Sequence, residues 1–132
     1  MRKSTYLFDT HALHFWAMQE AVSEEYVRFF DRQAQQGNLY ISSVSFWEIA
    51  LLVKKERIEL SDIYAWKNAL LSNTNIRLID PTATEMIDST LLPDHHKDPF
   101  DRLLIAQANR RGLILVTKDY HIHKYDVQHY WI

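Results

Sequence analysis

The chain has 132 residues, with 15 Lys and Arg against 17 Asp and Glu, so its formal net charge is −2. This length predicts one domain, residues 1–132, large enough to bury a core without disulfide or metal staples. The chain has no cysteine, which excludes disulfide scaffolds, cysteine-ligated zinc and thiol nucleophiles. No apolar run approaches the ~18 residues of a membrane span, and the first apolar stretch is too short for a signal peptide, so we expect a cytoplasmic protein without membrane contacts.

Five short apolar segments are the strand candidates. They lie at residues 5–8, 39–42, 76–79, 113–116 and 127–132. None shows clean alternation of apolar and polar residues, which indicates strands covered on both faces of a sheet. The chain has only 2 glycines and 3 prolines and none of the favoured hairpin turn pairs, so we expect parallel strands connected by helices.

Helical patterns fill the segments between these strands. They cover about residues 12–19, 23–37, 44–55, 61–72, 82–91 and 98–112. Thr82 and Glu85 have the spacing of a capping box. Asp98 precedes Pro99 and Gly112 follows the last helical residue, which is the usual pattern of a helix start and a helix end. Strands that alternate with helices predict a three-layer α/β/α sandwich around a mainly parallel sheet of about five strands.

Four acidic residues fall at one edge of the predicted sheet. Asp9 follows the first strand, Glu48 lies one turn into the helix after the second strand, and Asp101 lies in the first turn of the last helix. Asp119 comes just after the fourth strand. In such folds the carboxyl ends of strands and the amino ends of helices share one edge, where ligands bind. We therefore expect these four side chains to meet.

Two of these acids are expected to point inward. Glu48 lies on a helix that is apolar on almost every side, which predicts a buried helix. Asp101 shares its helix face with Leu104 and Ile105, whereas Arg102 falls on the opposite, solvent face. A buried carboxylate needs a cation, a hydrogen-bond donor or a proton. One or two Mg²⁺ or Mn²⁺ ions would satisfy several carboxylates at once, since oxygen ligands suit these metals.

A simpler interpretation stays open for every one of these acids except Glu48. Asp101 fits a helix cap, and Asp9 and Asp119 fit polar strand ends. Asp98 is interpreted as a helix cap that pairs with Arg102 four residues later. The accessory candidates are the two threonines beside the acids, which could orient ligands: Thr10 and Thr117.

The histidines give only weak signals. His95 and His96 are adjacent, so their side chains diverge, and His121 and His123 would need strand geometry to share a face. Zinc is therefore disfavoured, and His11 is the better candidate for lining the cleft. The tryptophans are expected to serve packing, some of them at an oligomer interface: Trp16, Trp47, Trp66 and Trp131.

Four blocks of the sequence resemble the PIN-domain ribonucleases of the VapC toxin type. They are Leu-Phe-Asp-Thr-His at 7–11, Ile-Ser-Ser-Val-Ser-Phe-Trp-Glu-Ile-Ala at 41–50, His-His-Lys-Asp-Pro-Phe-Asp-Arg-Leu-Leu-Ile-Ala-Gln-Ala at 95–108, and Leu-Val-Thr-Lys-Asp at 115–119. The resemblance covers nearly the whole chain in order and spacing. The Asp-Pro-Phe-Asp-Arg segment is its most specific part.

The resemblance implies a metal-dependent endoribonuclease that leaves 5′-phosphate and 3′-hydroxyl ends. The family's acidic positions, which bind Mg²⁺ or Mn²⁺, match Asp9, Glu48, Asp101 and Asp119. Asp98 matches an additional acidic position, and Thr117 matches the family's hydroxyl residue near the last acid. It also implies a small cognate antitoxin and a homodimer. Many such chains carry a glycine at the positions of residues 55–57, where this one has none, which concerns a helix end and not the pocket.

Two other functions remain open from the sequence. One is a catalytically silent PIN-fold module that binds proteins. The other is an aspartyl-phosphate phosphotransfer domain, but the phosphatase motif requires a second Asp where this chain has His11.

The net charge of −2 does not argue against RNA. Without the four site carboxylates, 15 basic residues face 13 acidic ones, so the rest of the chain is slightly positive. The candidate phosphate contacts are the basic residues near these motifs: Lys54, Lys55, Arg57, Arg102 and Lys118.

Overall fold

The computed structural model describes residues 3–132, so the first two residues of the predicted domain lie outside the described range. Strands and helices alternate along the chain as predicted. The elements in chain order are β1 (Tyr6–Phe8), α1 (Thr10–Met18), α2 (Glu24–Gln35), β2 (Leu39–Ser42), α3 (Ser43–Lys54), α4 (Ile63–Asn73), β3 (Arg77–Ile79), α5 (Ala83–Thr90), α6 (Pro99–Arg111), β4 (Ile114–Val116), a short 3₁₀ turn (Ile122–Lys124) and β5 (His129–Tyr130).

The five strands form one sheet in the order β3-β2-β1-β4-β5, and every neighbouring pair is parallel. The central strand β1 aligns Leu7 with Tyr40 of β2 on one side and with Leu115 of β4 on the other. The predicted α/β/α sandwich with a parallel sheet is confirmed.

Side chains of β1 alternate between the two faces of the sheet. Tyr6 and Phe8 belong to a core that includes Tyr26 and Phe30 of α2, whereas Leu7 belongs to a second core. The second core contains residues of α6, among them Leu104 and Ile105. Because both faces of β1 are covered by apolar side chains, the strand has the continuous apolar sequence that the prediction used.

Capping residues fix where the helices begin. Ser23 caps α2, and Thr82 and Glu85 form the predicted capping box of α5. Asp9 caps α1, so this helix begins two residues earlier than predicted. Gly112 ends α6 in the left-handed conformation with φ 67°, a geometry that glycine adopts without strain.

Two expectations about burial are wrong. Helix α3 is not buried on every side, since Trp47 is 62% exposed and contacts the ring of Phe100 at a centroid distance of 4.8 Å. Strand β3 is not covered on both faces either, because it lies at the edge of the sheet with Arg77 and Leu78 exposed. Strand β5 is also shorter than predicted, with two residues.

Within residues 3–132, no helix combines the length and the apolar character that a membrane crossing requires.

Candidate active site

Asp9 lies at the junction of β1 and α1 and is 4% exposed. Its Oδ1 accepts a hydrogen bond of 2.7 Å from the backbone N–H of Ala12, which fixes the side chain as the helix cap. Burial raises the pKa of Asp9 to about 6, although hydrogen bonds from Thr117 and from the Ala12 N–H lower it. The sequence interpretation as a polar strand end therefore missed its capping role but placed it at the correct edge.

Glu48 lies in the second turn of α3 and is 9% exposed. Its Oε1 atom is buried and has no hydrogen-bond partner among the described residues. Burial raises the pKa of Glu48, and the nearby Thr10 hydroxyl lowers it part of the way. Thr10 is itself buried and donates a hydrogen bond of 3.1 Å to Ser45 Oγ. No local structural role accounts for a buried carboxylate with an unpaired oxygen.

Asp101 lies in the first turn of α6 and is 8% exposed. Burial, followed by the negative charges of Asp98, Asp9, Glu48 and Asp119, raises its pKa to about 9. The acids from four separate parts of the chain therefore lie near enough to Asp101 to act on it electrostatically. Their mutual repulsion is what a divalent cation would relieve.

Asp119 follows β4 and is more exposed, with a third of its side chain accessible. Its backbone N–H donates to Thr117 Oγ1 at 3.0 Å, and its Oδ1 accepts from the backbone N–H of His121 at 2.8 Å. Thr117 is fully buried beneath it. Thr117 thus contacts both Asp9 and Asp119.

His96 is the site residue that the sequence interpretation missed. Its Nε2 atom lies 2.9 Å from Asp101 Oδ2 and 3.2 Å from Asp119 Oδ2. Its Nδ1 atom accepts a hydrogen bond of 3.1 Å from the backbone N–H of Asp98. Because Nδ1 accepts, Nε2 carries the hydrogen and donates it toward the two carboxylates. One atom each from His96, Asp101 and Asp119 lie within 4.8 Å of one another.

One feature of the sequence could have indicated a site role for His96: it lies two residues before Asp98, the cap of α6. His95, next to it, turns the other way and packs against the ring of Tyr125 at a centroid distance of 5.0 Å. The adjacent side chains diverge as expected, but one of them enters the acidic cluster. His123 stacks on His129 with a centroid distance of 4.0 Å and does not pair with His121.

The predicted pair between Asp98 and Arg102 is wrong. Asp98 Oδ1 caps α6 by accepting from the Phe100 N–H at 2.9 Å, as predicted. Arg102 is only 13% exposed, and its guanidinium donates to the carbonyls of Leu92, Pro93 and His96. These carbonyls belong to the loop between α5 and α6, so Arg102 holds the loop that carries His96. Its donors are occupied by this loop, so Arg102 is not a free phosphate contact.

The other basic candidates separate into two groups. Lys54, Lys55 and Arg57 lie at the carboxyl end of α3 or beyond it, about 10 Å along the axis from Glu48, since an α-helix rises ~1.5 Å per residue. Lys118 lies beside the cluster and lines the same cavity as Asp9, Asp119 and His11. Of these candidates, Lys118 is the one placed to contact a phosphate at the acidic edge.

Three of the four tryptophans pack in the first core as expected, and Trp47 does not. Trp16 is buried, and its Nε1 donates to Asp31 at 2.9 Å. Trp66 packs edge-on against Phe46 in the first core. Trp47 is mostly exposed, and Trp131 lines the cavity beside the acidic cluster.

The residues at this edge fit a divalent cation. The donors are carboxylate oxygens, Glu48 Oε1 has no partner, and burial holds the pKa values of Asp9 and Asp101 above their usual range. Fold and site together define a parallel α/β/α protein with a buried acidic pocket at the carboxyl edge of its sheet.

Comparison with known protein families shows which family this chain belongs to. Residues 6–128 match the model of the PIN domain, so the chain belongs to the PIN domain family.

The relatives support the same grouping. The chain is 28% identical over 122 residues to Ribonuclease VapC22 of Mycobacterium tuberculosis, and this alignment covers 88% of each chain. The fold is similar to that of VapBC2 from Rickettsia felis bound to a DNA fragment from their promoter, with a TM-score of 0.74, 16% identity, and 96% and 98% of the two chains covered. It is also similar to a toxin-antitoxin complex from Klebsiella pneumoniae, with a TM-score of 0.60, 19% identity and 87% of each chain covered.

Proposed function

We propose that this protein is a metal-dependent endoribonuclease whose metal ligands are Asp9, Glu48, Asp101 and Asp119. The observation that carries the proposal is the unpaired Glu48 Oε1, buried among carboxylates whose pKa values are raised. Ionised acids in this arrangement are unfavourable without a cation. One or two Mg²⁺ or Mn²⁺ ions would complete the site.

When bound, such an ion supplies positive charge that stabilises the phosphoryl oxygens and acidifies a water molecule. The chain's own residues position the carboxylates. The Ala12 N–H holds Asp9, the Thr117 hydroxyl holds the backbone of Asp119, and the His96 Nε2–H reaches Asp101 and Asp119. These contacts fix the ligands before substrate arrives, which is the arrangement that phosphoryl transfer requires.

RNA is the proposed substrate because a relative that aligns with 88% of this chain is named as a ribonuclease, VapC22. Lys118 is the proposed phosphate contact, since it lies at the rim of the pocket beside Asp119. Asp98 and Thr10 are proposed to support the site. Asp98 caps the start of α6, the helix that carries Asp101. The hydroxyl of Thr10 lies beside the carboxyl group of Glu48.

The test is cleavage of an RNA panel by the purified full chain in Mg²⁺ or Mn²⁺, with and without EDTA. We expect Asp9→Asn to lower the rate by roughly 100-fold or more, since metal charge stabilisation supplies several kcal/mol. Asp62→Asn is the matched control, because Asp62 also caps a helix through Oδ1 but is exposed. The proposal fails if cleavage persists in EDTA or if Asp9→Asn cleaves as fast as the wild type.

We further infer that the protein is the toxin of a toxin-antitoxin pair and forms a homodimer. The similarity in fold to VapBC and other toxin-antitoxin complexes supports this role. Exposed apolar side chains of α5 and its end, Met86, Ile87 and Leu91, offer a surface for another chain. Induction should arrest growth, and a small protein encoded beside the gene should relieve the arrest. Light scattering should give the mass of two chains.

A further inference from the structure

A cavity of about 410 Å³ opens directly beside the acidic cluster. Its lining includes the two acids Asp9 and Asp119, the aromatic side chains of Phe15 and Trp131, and the basic side chains of Lys118 and His11. The cavity therefore shares two of its lining residues with the proposed metal site. A ligand in this cavity would contact two of the acidic residues. The proposed metal site gives no role to the aromatic residues Phe15 and Trp131.

The aromatic wall is built from two separate parts of the chain. Phe15 belongs to α1, and Trp131 follows β5, with their ring centroids 6.5 Å apart and their planes at 75°. Trp131 also packs on the fully buried Tyr26 at a centroid distance of 5.0 Å. This contact holds the indole in place. The wall is thus ordered by the core before any ligand binds.

Lys118 supplies a cation at the same wall. Its ammonium lies 4.5 Å from the centroid of Phe15 and 5.8 Å from that of Trp131. In the described part of the chain it forms no ion pair with a carboxylate. A lysine that rests on aromatic rings next to an acidic cluster, with no carboxylate bound to it, is available to an anionic ligand.

These features match one nucleotide of a single strand. Stacking on aromatic rings is the usual way in which proteins hold unpaired bases, and it tolerates every base because each has a π face. The volume lies near the lower end of the roughly 300–1,000 Å³ range of small-ligand pockets, which suits one nucleotide and not a longer stretch. The free ammonium complements the phosphate of that nucleotide.

We propose that this cavity is a base-binding subsite: an unpaired base of the nucleotide next to the scissile phosphate stacks on Trp131 with its edge toward Phe15, and Lys118 contacts its phosphate. This inference rests on the proposed ribonuclease function and adds a substrate requirement to it. The nucleotide must be unpaired, because a base held in a duplex cannot enter the cavity.

The test uses a single-stranded RNA oligonucleotide that contains every dinucleotide step, cleaved in Mn²⁺. After the cut position has been mapped, each nucleotide around it is replaced in turn by an abasic one. We expect one abasic position to raise KM for the wild type by roughly 5- to 100-fold, the range that loss of one stacked base produces. In Trp131→Leu the parent RNA should show a similar increase, and the same abasic position should add little to it.

Matched variants separate stacking from folding. Trp131→Phe keeps an aromatic face and should recover most of the affinity. Tyr64→Leu removes an aromatic ring that is 77% exposed on α4 and should leave KM unchanged. Phe15→Leu and Lys118→Met test the other two residues of the wall. If circular dichroism shows that Trp131→Leu is unfolded, the KM values of these two variants are compared with that of Tyr64→Leu instead.

The outcomes distinguish the two proposals. If the wild type cleaves no RNA in Mn²⁺, the ribonuclease function itself is wrong. If the wild type cleaves but no abasic position near the cut raises KM, the subsite is overturned and the function stands. Additive effects of the abasic nucleotide and Trp131→Leu, or equal KM values for Trp131→Leu and Tyr64→Leu, also overturn the subsite.

Discussion

The substitution Asp9→Asn should stabilise the metal-free protein while removing its response to metal. The Asp9 pKa rises from 3.8 to about 6 on folding because the side chain is buried. A raised carboxyl pKa means that the folded state binds the proton more tightly than the unfolded state does. The stabilisation that this proton provides is complete below pH ~3.8 and is lost as the pH rises through about 6.

The magnitude follows from the size of this shift. Each pKa unit corresponds to about 1.4 kcal/mol, so ionised Asp9 lowers the free energy of unfolding by about 3 kcal/mol at pH ~8 in EDTA. Asparagine is neutral and keeps an oxygen that can accept from the Ala12 N–H, as Asp9 does. The variant should therefore gain up to about 3 kcal/mol, which is roughly 10 °C in Tm. The gain should vanish below pH ~4.

Thermal unfolding across this pH range, with EDTA or with Mn²⁺, measures both effects. Mn²⁺ at ~100 times its Kd should stabilise the wild type by about 2.7 kcal/mol and the variant by much less, so the difference between them closes. Asp62→Asn should follow the wild type in every condition, since Asp62 caps its helix at an exposed position. If Asp9→Asn is less stable than the wild type in EDTA at pH ~8, or if its effect does not change with pH, the reasoning is refuted.

Two further predictions concern His96 in the acidic site and the ion pair between Glu85 of α5 and Arg111 of α6. His96→Ala removes the hydrogen-bond donor to Asp101 and Asp119, and calorimetry should show Mn²⁺ affinity reduced by roughly 10- to 100-fold; equal affinities for this variant and the His95→Ala control would contradict it. Arg111 lies 2.8 Å from Glu85 and holds the pKa of that carboxyl below its usual range. A lowered pKa gives stability that is present above pH ~4.5 and is lost as the pH falls through the folded-state value, so urea unfolding should find Glu85→Gln about 1–3 kcal/mol less stable near neutral pH. This deficit should shrink in acid, and a deficit that is the same at every pH would show that the ion pair is not its cause.

Local sequence chemistry predicted most of the fold. The start and end of α6 follow from Asp98, Pro99 and Gly112, because a cap, a fixed φ and a left-handed residue act within one turn of the helix. The position of Glu48 followed from helix periodicity and strand order. These features depend on neighbours in the sequence or on the topology, and both can be read without coordinates.

The features that were missed depend on contacts between distant segments. His96 reaches Asp101 because the loop before α6 is held by the Arg102 guanidinium, which donates to carbonyls that the loop itself leaves unpaired. The i,i+4 spacing favoured a pair between Arg102 and Asp98, but orphan carbonyls in a loop compete for the same donors. Trp47 was also misjudged, since its helix is apolar on most sides and yet Trp47 is exposed. Helix α3 has more apolar residues than positions that face the core, so some of its apolar side chains lie at the surface.

The distribution of charge links metal binding to RNA binding. The net charge of −2 conceals an acidic pocket set in a chain whose remaining residues are 15 basic and 13 acidic. With its carboxylates unpaired, the pocket repels a phosphate at the point where the bond must be cut, whereas Lys118 at the rim attracts it. A cation in the pocket removes that repulsion. Metal and RNA should therefore each raise the affinity of the other by the same factor, since the coupling between two bound ligands is reciprocal.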